Sequence, residues 1–214
     1  MTRKLVRQHR LPEEFLEHIR ALEEAYLASD DPIVQSGFHG GPERWRRERE
    51  PILDAVEGNG AFLDVGCANG YLLESLVKWG RERGLALTPY GVDIGARLIE
   101  LARKRLPQFA SHFYVANAWE WRPPRQFRYV YTLADCVPES TLEAYVRRLL
   151  ERAVEPAGRL IVGAYGSRSR GTVPLPMGDL LASYGLKVAG STFGGEPPVT
   201  AFAWVDKSRY GGNS

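Results

Sequence analysis

The sequence is short of the features that mark several protein classes. It has only two cysteines in 214 residues, Cys67 and Cys136. They give neither a disulfide framework nor a Cys-x-x-Cys metal site. No cluster of His, Cys, Asp or Glu has metal-ligand spacing, so no metal is expected. The net charge of +2 is close to neutral and gives no general case for nucleic-acid binding. No apolar run approaches the ~18 residues of a membrane span. Met1-Thr-Arg-Lys4 is not followed by the apolar core of a signal peptide. A Gly-x-Gly-x-x-Gly fingerprint and a Gly-Lys-Ser/Thr phosphate loop are both missing. What is present is ordinary: 44% hydrophobic and 25% charged residues, as in soluble globular proteins. The expectation is a cytoplasmic protein with no membrane partner, long enough for one domain plus an elaboration.

Along the chain, 12–28 reads as an amphipathic helix. Pro12 suits its first turn, Glu13 and Glu14 suit its dipole, and Phe15, Leu16, Ile19, Leu22 and Tyr26 form one stripe. A glycine-rich link follows, and 42–57 is a second helical stretch, kinked or broken at Pro51. From Ala61 strands and helices alternate. Strands are predicted at 61–65, 87–92, 112–115, 127–132, 158–164, 186–192 and 199–205, and helices at 69–82, 95–106, 140–153 and 177–184. Alternation implies a mostly parallel sheet covered on both faces. Only Gly194-Gly-Glu-Pro-Pro198 joins the last two strands, so they should pair as an antiparallel hairpin. The fold class is therefore a doubly wound α/β sheet of seven strands. Residues 1–57 form a helical extension, 58–206 the main domain and 207–214 a disordered tail.

The most informative segment is Asp64-Val-Gly-Cys-Ala-Asn-Gly70. A short apolar strand enters a tight turn bounded by Gly66 and Gly70, and a helix carrying Leu72, Leu73, Leu76 and Val77 follows. Such a strand–turn–helix brings a nucleotide-like ligand against backbone N–H groups at a helix N-terminus. Asp64 lies at the carboxyl end of the strand, where open α/β sheets bind ligands. Asp93 closes the second strand. Its carboxylate either accepts both ribose hydroxyls of such a ligand or caps the following helix. Asn117, after the third strand, is either a ligand contact or a turn-closing residue.

The segment resembles motif I of the class I S-adenosylmethionine-dependent methyltransferases in its Asp-Val-Gly-Cys-x-x-Gly form. The likeness extends over about 58–206, because that family also ends a parallel sheet in an antiparallel hairpin. It implies S-adenosylmethionine as cofactor. It also implies a binding set of Asp64, Gly66, Cys67, Ala68, Asn69 and Gly70 in the first motif, then Asp93 with Ile94, and Asn117 with Ala118 at the adenine. Thr132 and Leu133 belong to the fourth motif, which lines the reacting groups. The acid-rich version of that motif is absent here, and Asp135 follows instead, either as a base facing the acceptor or as a cap of the next helix. Cys67 is a small packing residue with no base beside it.

Methyl transfer from a sulfonium depends mainly on alignment and desolvation. An acceptor of high pKa also needs a base, for which His39, Asp135 and Tyr165 are candidates. The segment 29–45 is expected to close over the cofactor, with Phe38, His39 and Trp45 as cover and glycines 37, 40 and 41 as hinges. Arg44, Arg46, Arg47, Arg168 and Arg170 could form a basic rim for RNA or protein. On the 43–50 helix, however, Glu43/Arg47 and Arg46/Glu50 have the i,i+4 spacing of a solvated face. The expected acceptor is a small molecule, with RNA or protein as the alternative and a non-catalytic binding module as a further one.

Overall fold

A computed structural model of the chain describes residues 11–207. The leader reading of Met1–Lys4 and nearly all of the expected tail lie outside those residues. Lys207, the first tail position, donates through Nζ to the carbonyls of Glu151 and Val154.

Seven strands form one sheet in the order β3-β2-β1-β4-β5-β7-β6. They are β1 (Gly60–Val65), β2 (Leu87–Asp93), β3 (Phe113–Val115), β4 (Phe127–Leu133), β5 (Val154–Tyr165), β6 (Val188–Gly194) and β7 (Thr200–Asp206). The first five pair in parallel, and β7 lies antiparallel between β5 and β6. The expected hairpin is present, and its second strand is the one that joins the parallel sheet. The helices are α1 (Glu13–Leu27), α2 (Gly41–Arg49), α3 (Tyr71–Glu82), α4 (Ala96–Arg105), α5 (Glu139–Arg152) and α6 (Met177–Ser183). At Pro51 the second helical stretch gives way to a 3-10 segment, Glu50–Ala55, as a ring at that position requires. The third helix starts two residues later than expected, because Gly70 at its N-cap is left-handed with φ 73°. No described helix is long and apolar enough to cross a membrane.

Both faces of the sheet are buried, so the strands read as continuous apolar runs. Alternation within β1 shows how one strand serves two cores. Leu63 and Val65 join Val130, Tyr145, Val146 and Leu160 on one side. Phe62 joins Leu76, Ile99, Tyr129 and Tyr131 on the other. Full burial of each such side chain contributes roughly 1.5–3 kcal/mol. Asp64 shares the second face and register with Tyr131, and is the charged exception among these buried positions. The N-terminal region is integral to the core. Ile33, Phe38, Trp45, Ile52 and Leu53 are buried in the second cluster, and Arg159 on β5 ties Ala55 and Glu57 to Asp206.

Candidate active site at the carboxyl end of the sheet

The loop after β1 turns its own backbone donors inward. The N–H groups of Gly66 and Cys67 both donate to the Val92 carbonyl, at 2.8 and 3.1 Å. Gly70 N–H donates to Cys67 O at 2.9 Å, and Ala68 N–H donates to Asp93 Oδ2 at 2.9 Å. The expected row of bare N–H groups is therefore replaced by a loop stapled to β2. The geometry carries strain: Ala68 sits at φ 44°, in a region that favours glycine. A side chain at Gly66 would put its Cβ 2.8 Å from Cys136 Sγ, and one at Gly70 would meet Ala102 Cβ at 2.9 Å. Both glycines are needed for close approach as well as for φ.

Asp93 is the centre of this arrangement. Its Oδ1 accepts from Gly95 N–H at 2.8 Å while Oδ2 holds Ala68. It does not cap α4, whose N-cap is Gly95 without a side-chain bond. Each carboxylate oxygen can accept again, so capacity for hydroxyl donors remains. Burial raises its pKa, opposed by those backbone bonds. Asp64 is buried 98% deep in residue terms, being 2% exposed, and burial first, then the charge of Asp93, pushes its pKa up to about 8.

A small cavity of about 90 Å³ opens beside Asp93. Its sheet side is Gly66, Val92, Asp93 and Ile94, its far edge Ala116, Asn117, Ala118 and Cys136, and its roof Leu11, Phe15, Leu16 and Ile19. The roof is thus α1 and the residue before it. The glycine-rich segment that sequence reasoning chose contributes no wall to this cavity. That segment is packed elsewhere. Phe38 meets Trp45 edge-on at 5.5 Å, and Trp45 donates through Nε1 to Ser75 Oγ at 2.9 Å. His39 is exposed beside them, outside the cavity wall, which removes the geometric basis for a base there.

The other expected residues divide by environment. Asn117 Oδ1 accepts from Trp119 N–H at 2.9 Å, so it does close a turn, and it also edges the cavity with Ala118. Asn69 is fully buried and works as a joint: it accepts from Tyr71 N–H and donates to Pro32 O and Gln35 Oε1. Its side chain is taken up in holding the N-terminal segment to the loop. Thr132 is also fully buried, its hydroxyl 3.3 Å from Val65 O and 3.0 Å from Tyr145 Oη. It stitches β4 to β1 and α5 and does not face the cleft, while Leu133 packs partly buried against the second cluster. Cys67 is buried, and burial lifts its thiol well above the ordinary value, consistent with packing.

Asp135 caps nothing, since the N-cap of α5 is Pro138 with no side-chain bond. Asp135 is exposed by surface area, yet desolvation by its surroundings raises its pKa, opposed by its backbone bond and by the nearby His18 of α1. Tyr26, from the last turn of α1, was read only as part of an apolar stripe. Its pKa is raised by burial, then by the charges of Asp135 and Asp93, and its ring end packs against Gly37. The signal was available: it is the position of that stripe with a polar tip. Tyr165 Oη lies 2.7 Å from Tyr131 Oη, and burial pushes the Tyr165 pKa up to about 12 despite the nearby Arg49. That value makes it a hydrogen-bonding group rather than a base near neutrality. Among the described residues no group of three or more His, Cys, Asp or Glu could hold a metal ion.

Fold, glycine loop and Asp93 together define a Rossmann-like, class I methyltransferase architecture. Residues 62–158 match the family model for a methyltransferase domain. The sequence matches no curated protein. Three solved structures illustrate the shared fold. A 1,6-didemethyltoxoflavin-N1-methyltransferase of Burkholderia thailandensis superposes with a TM-score of 0.63 at 14% identity, over 94% of this chain and 92% of that one. Magnesium protoporphyrin IX methyltransferase of Synechocystis gives 0.60 at 12% identity, over 92% and 99%. An S-adenosylmethionine-dependent methyltransferase of Aquifex aeolicus gives 0.58 at 17% identity, over 83% and 99%.

Proposed function

We propose that the protein transfers a methyl group from S-adenosylmethionine to a small-molecule acceptor. The observation that carries this reading is the Asp93 staple, which fixes a carboxylate at the end of β2 beside a cavity floored by Gly66 and edged by Asn117 and Ala118. The donor set fits a ribose and a base: a carboxylate with spare acceptor capacity, the exposed apolar Ile94, and an amide at the rim. Two of the structures named above are described as holding S-adenosylmethionine or S-adenosylhomocysteine. The bound cofactor supplies a methyl already activated on a positive sulfur. The chain then has to orient, dehydrate and accept a proton where the acceptor loses one. Asp93 would receive hydroxyl hydrogens, and Asp64, kept largely protonated near neutrality by burial, would give up its proton to face an ammonium group. Asp135, next to Cys136 of the cavity edge, would take a proton from the acceptor.

The space beside Asp93 is well below the ~300 Å³ at which ligand pockets begin. Cofactor entry therefore needs α1 to move outward, and the same helix then excludes water when it returns. A roofed cleft favours a small acceptor. The basic rim that would serve RNA or protein is partly neutralised, with Arg46 paired to Glu50 and Glu82 and Arg44 to Glu48. Two assays test the reading. Calorimetry with S-adenosylhomocysteine should show saturable micromolar binding. Labelled cofactor incubated with separate metabolite, RNA and protein fractions should label the metabolites. Label confined to RNA or protein would overturn the small-molecule acceptor, and binding without transfer to any fraction would favour a non-catalytic module.

A further inference from the structure

We infer, resting on the methyl-transfer reading, that the acceptor carries a carboxylate or phosphate group, held by Arg49 with Arg168 beside Tyr165 at the end of β5. Arg49, the last residue of α2, has a side chain only 6% exposed. Its Nε is buried with no hydrogen-bond partner. One of its terminal nitrogens, Nη1, reaches only the Glu48 carbonyl, at a long 3.4 Å. The nearest carboxylate is Glu48, 3.8 Å away. Glu48, itself 3% exposed, is shared: Arg44 lies at 3.1 Å and Arg168 at 3.7 Å. No other carboxylate lies within 4.0 Å of these three arginines among the described residues. One acid thus faces three guanidinium groups, and only Arg44 engages it at hydrogen-bonding distance.

Burying a charged donor without a partner is costly. The rings of Tyr165, Phe38 and Trp45 surround the Arg49 guanidinium at 3.7, 4.9 and 5.2 Å. They offset the charge through their faces, but they leave the in-plane Nε–H unmet. A planar fork with unmet donors matches the oxygens of a carboxylate or phosphate. The place also fits an acceptor. Tyr165 lies between Arg49 on its ring face and Tyr131 at its hydroxyl, and Asp64 stands close enough to Tyr165 to act on it electrostatically. Tyr131 is also the register partner of Asp64, so the Tyr131–Tyr165 pair links Arg49 to the strand position of the motif I acid. Arg168 is already positioned by the Glu196 carbonyl at 3.0 Å, and the Glu48 backbone is pinned by Thr200 Oγ1 at 2.9 Å. An incoming anion would replace the two long Glu48 contacts and leave the short one to Arg44.

The test uses the full chain saturated with S-adenosylhomocysteine. Arginine Nε–H resonances are followed by NMR, with Arg49 assigned from Arg49→Lys. Benzoate, phenyl phosphate and the neutral benzamide are titrated separately. At least one anion should shift the Arg49 resonance saturably, at least about tenfold more tightly than benzamide, the scale of one charge-assisted contact. Arg168→Ala, a change in an exposed loop, should weaken that anion about tenfold in protein that still binds S-adenosylhomocysteine. Benzoate and phenyl phosphate titrating no better than benzamide would overturn the inference while saturation with S-adenosylhomocysteine leaves the methyl-transfer reading standing. An Arg168→Ala protein that binds the anion as tightly as the parent would also overturn it. Failure to bind S-adenosylhomocysteine at all would remove both.

Discussion

At the β1–β2 end of the cleft the polar groups are hydrogen-bonded to one another, whereas at the β4–β5 end they are crowded together and only partly paired. Asp93 holds two backbone N–H groups, Asn69 makes three side-chain bonds, and the loop N–H groups close on Val92. Asp64, at the end of β1 and paired in register with Tyr131 of β4, is buried and feels the charge of Asp93, and beside the end of β5 Arg49 keeps a bare donor. The first end is preorganised, as expected for a ligand whose shape does not vary. The second keeps unmet capacity, as expected where the partner has still to arrive. Changes at the first end should therefore lower stability and cofactor affinity together, and changes at the second should separate the two.

Asp64→Asn should give the largest effect. In the unfolded chain this carboxyl titrates near 3.8, and in the folded chain near 8. Between those values the folded state holds a proton that the unfolded state has lost, so this group's contribution falls as pH rises and is fully lost above about 8. The span corresponds to about 4–6 kcal/mol. Urea unfolding of parent and Asp64→Asn at pH 5.5 and 8 should show the parent losing stability relative to the variant as pH rises. Parallel behaviour would mean that Asp64 is already ionised. Cofactor binding favours the charged form, so parent affinity should also rise from pH 6 to 8, and that slope should vanish in the variant.

Asp93→Ala comes next and should not separate the two properties. It leaves the Ala68 and Gly95 donors unmet, at about 2–4 kcal/mol of stability, and removes charged acceptors worth about 1.5–3 kcal/mol of cofactor affinity. Thermal melts and calorimetry on the same protein check both. Full affinity with reduced melting temperature would confine Asp93 to a loop-holding role.

These two residues also mark how far the sequence could be read. Asp64, Gly66, Gly70 and Asp93 were legible because strand ends and tight turns impose local constraints, and the alternating pattern after Ala61 predicted the sheet and its hairpin. The roles of Asn69 and Thr132 were not legible. Their partners, Pro32, Gln35 and Tyr145, come from elements distant in sequence, and no periodicity reports such contacts. The segment 29–45, expected as the cover, lines no part of this cavity for a related reason. Glycines 37, 40 and 41 suggested a hinge, yet Phe38 and Trp45 find deep burial against α3 and Arg49. The half-buried stripe of α1 was left to roof the cavity. Arg49 was hidden in a run of charges that reads as a solvated face, and only the fold separates it from Arg46 and Arg47.

The smallest effect concerns α1. None of its residues from Glu13 to Leu27 is fully buried, so its docking rests on Phe15, Leu16 and Ile19, on Glu23 accepting from Arg97 N–H, and on an Arg97–Glu24 pair. Exposed ion pairs of that kind contribute little, and each half-buried apolar side chain about 1 kcal/mol. If α1 must leave before the cofactor enters, the measured affinity is reduced by the fraction of molecules in which it is closed. Phe15→Ala combined with Ile19→Ala loosens the roof without touching Asp93. The variant should take up S-adenosylhomocysteine faster by stopped flow and bind it about 2–5-fold more tightly. Hydrogen exchange in the parent should change across 13–27 on binding and stay nearly constant across 33–45, where the core is already formed. Slower uptake and weaker binding in the variant would instead mean that the contacts α1 makes with the bound cofactor outweigh the cost of opening it.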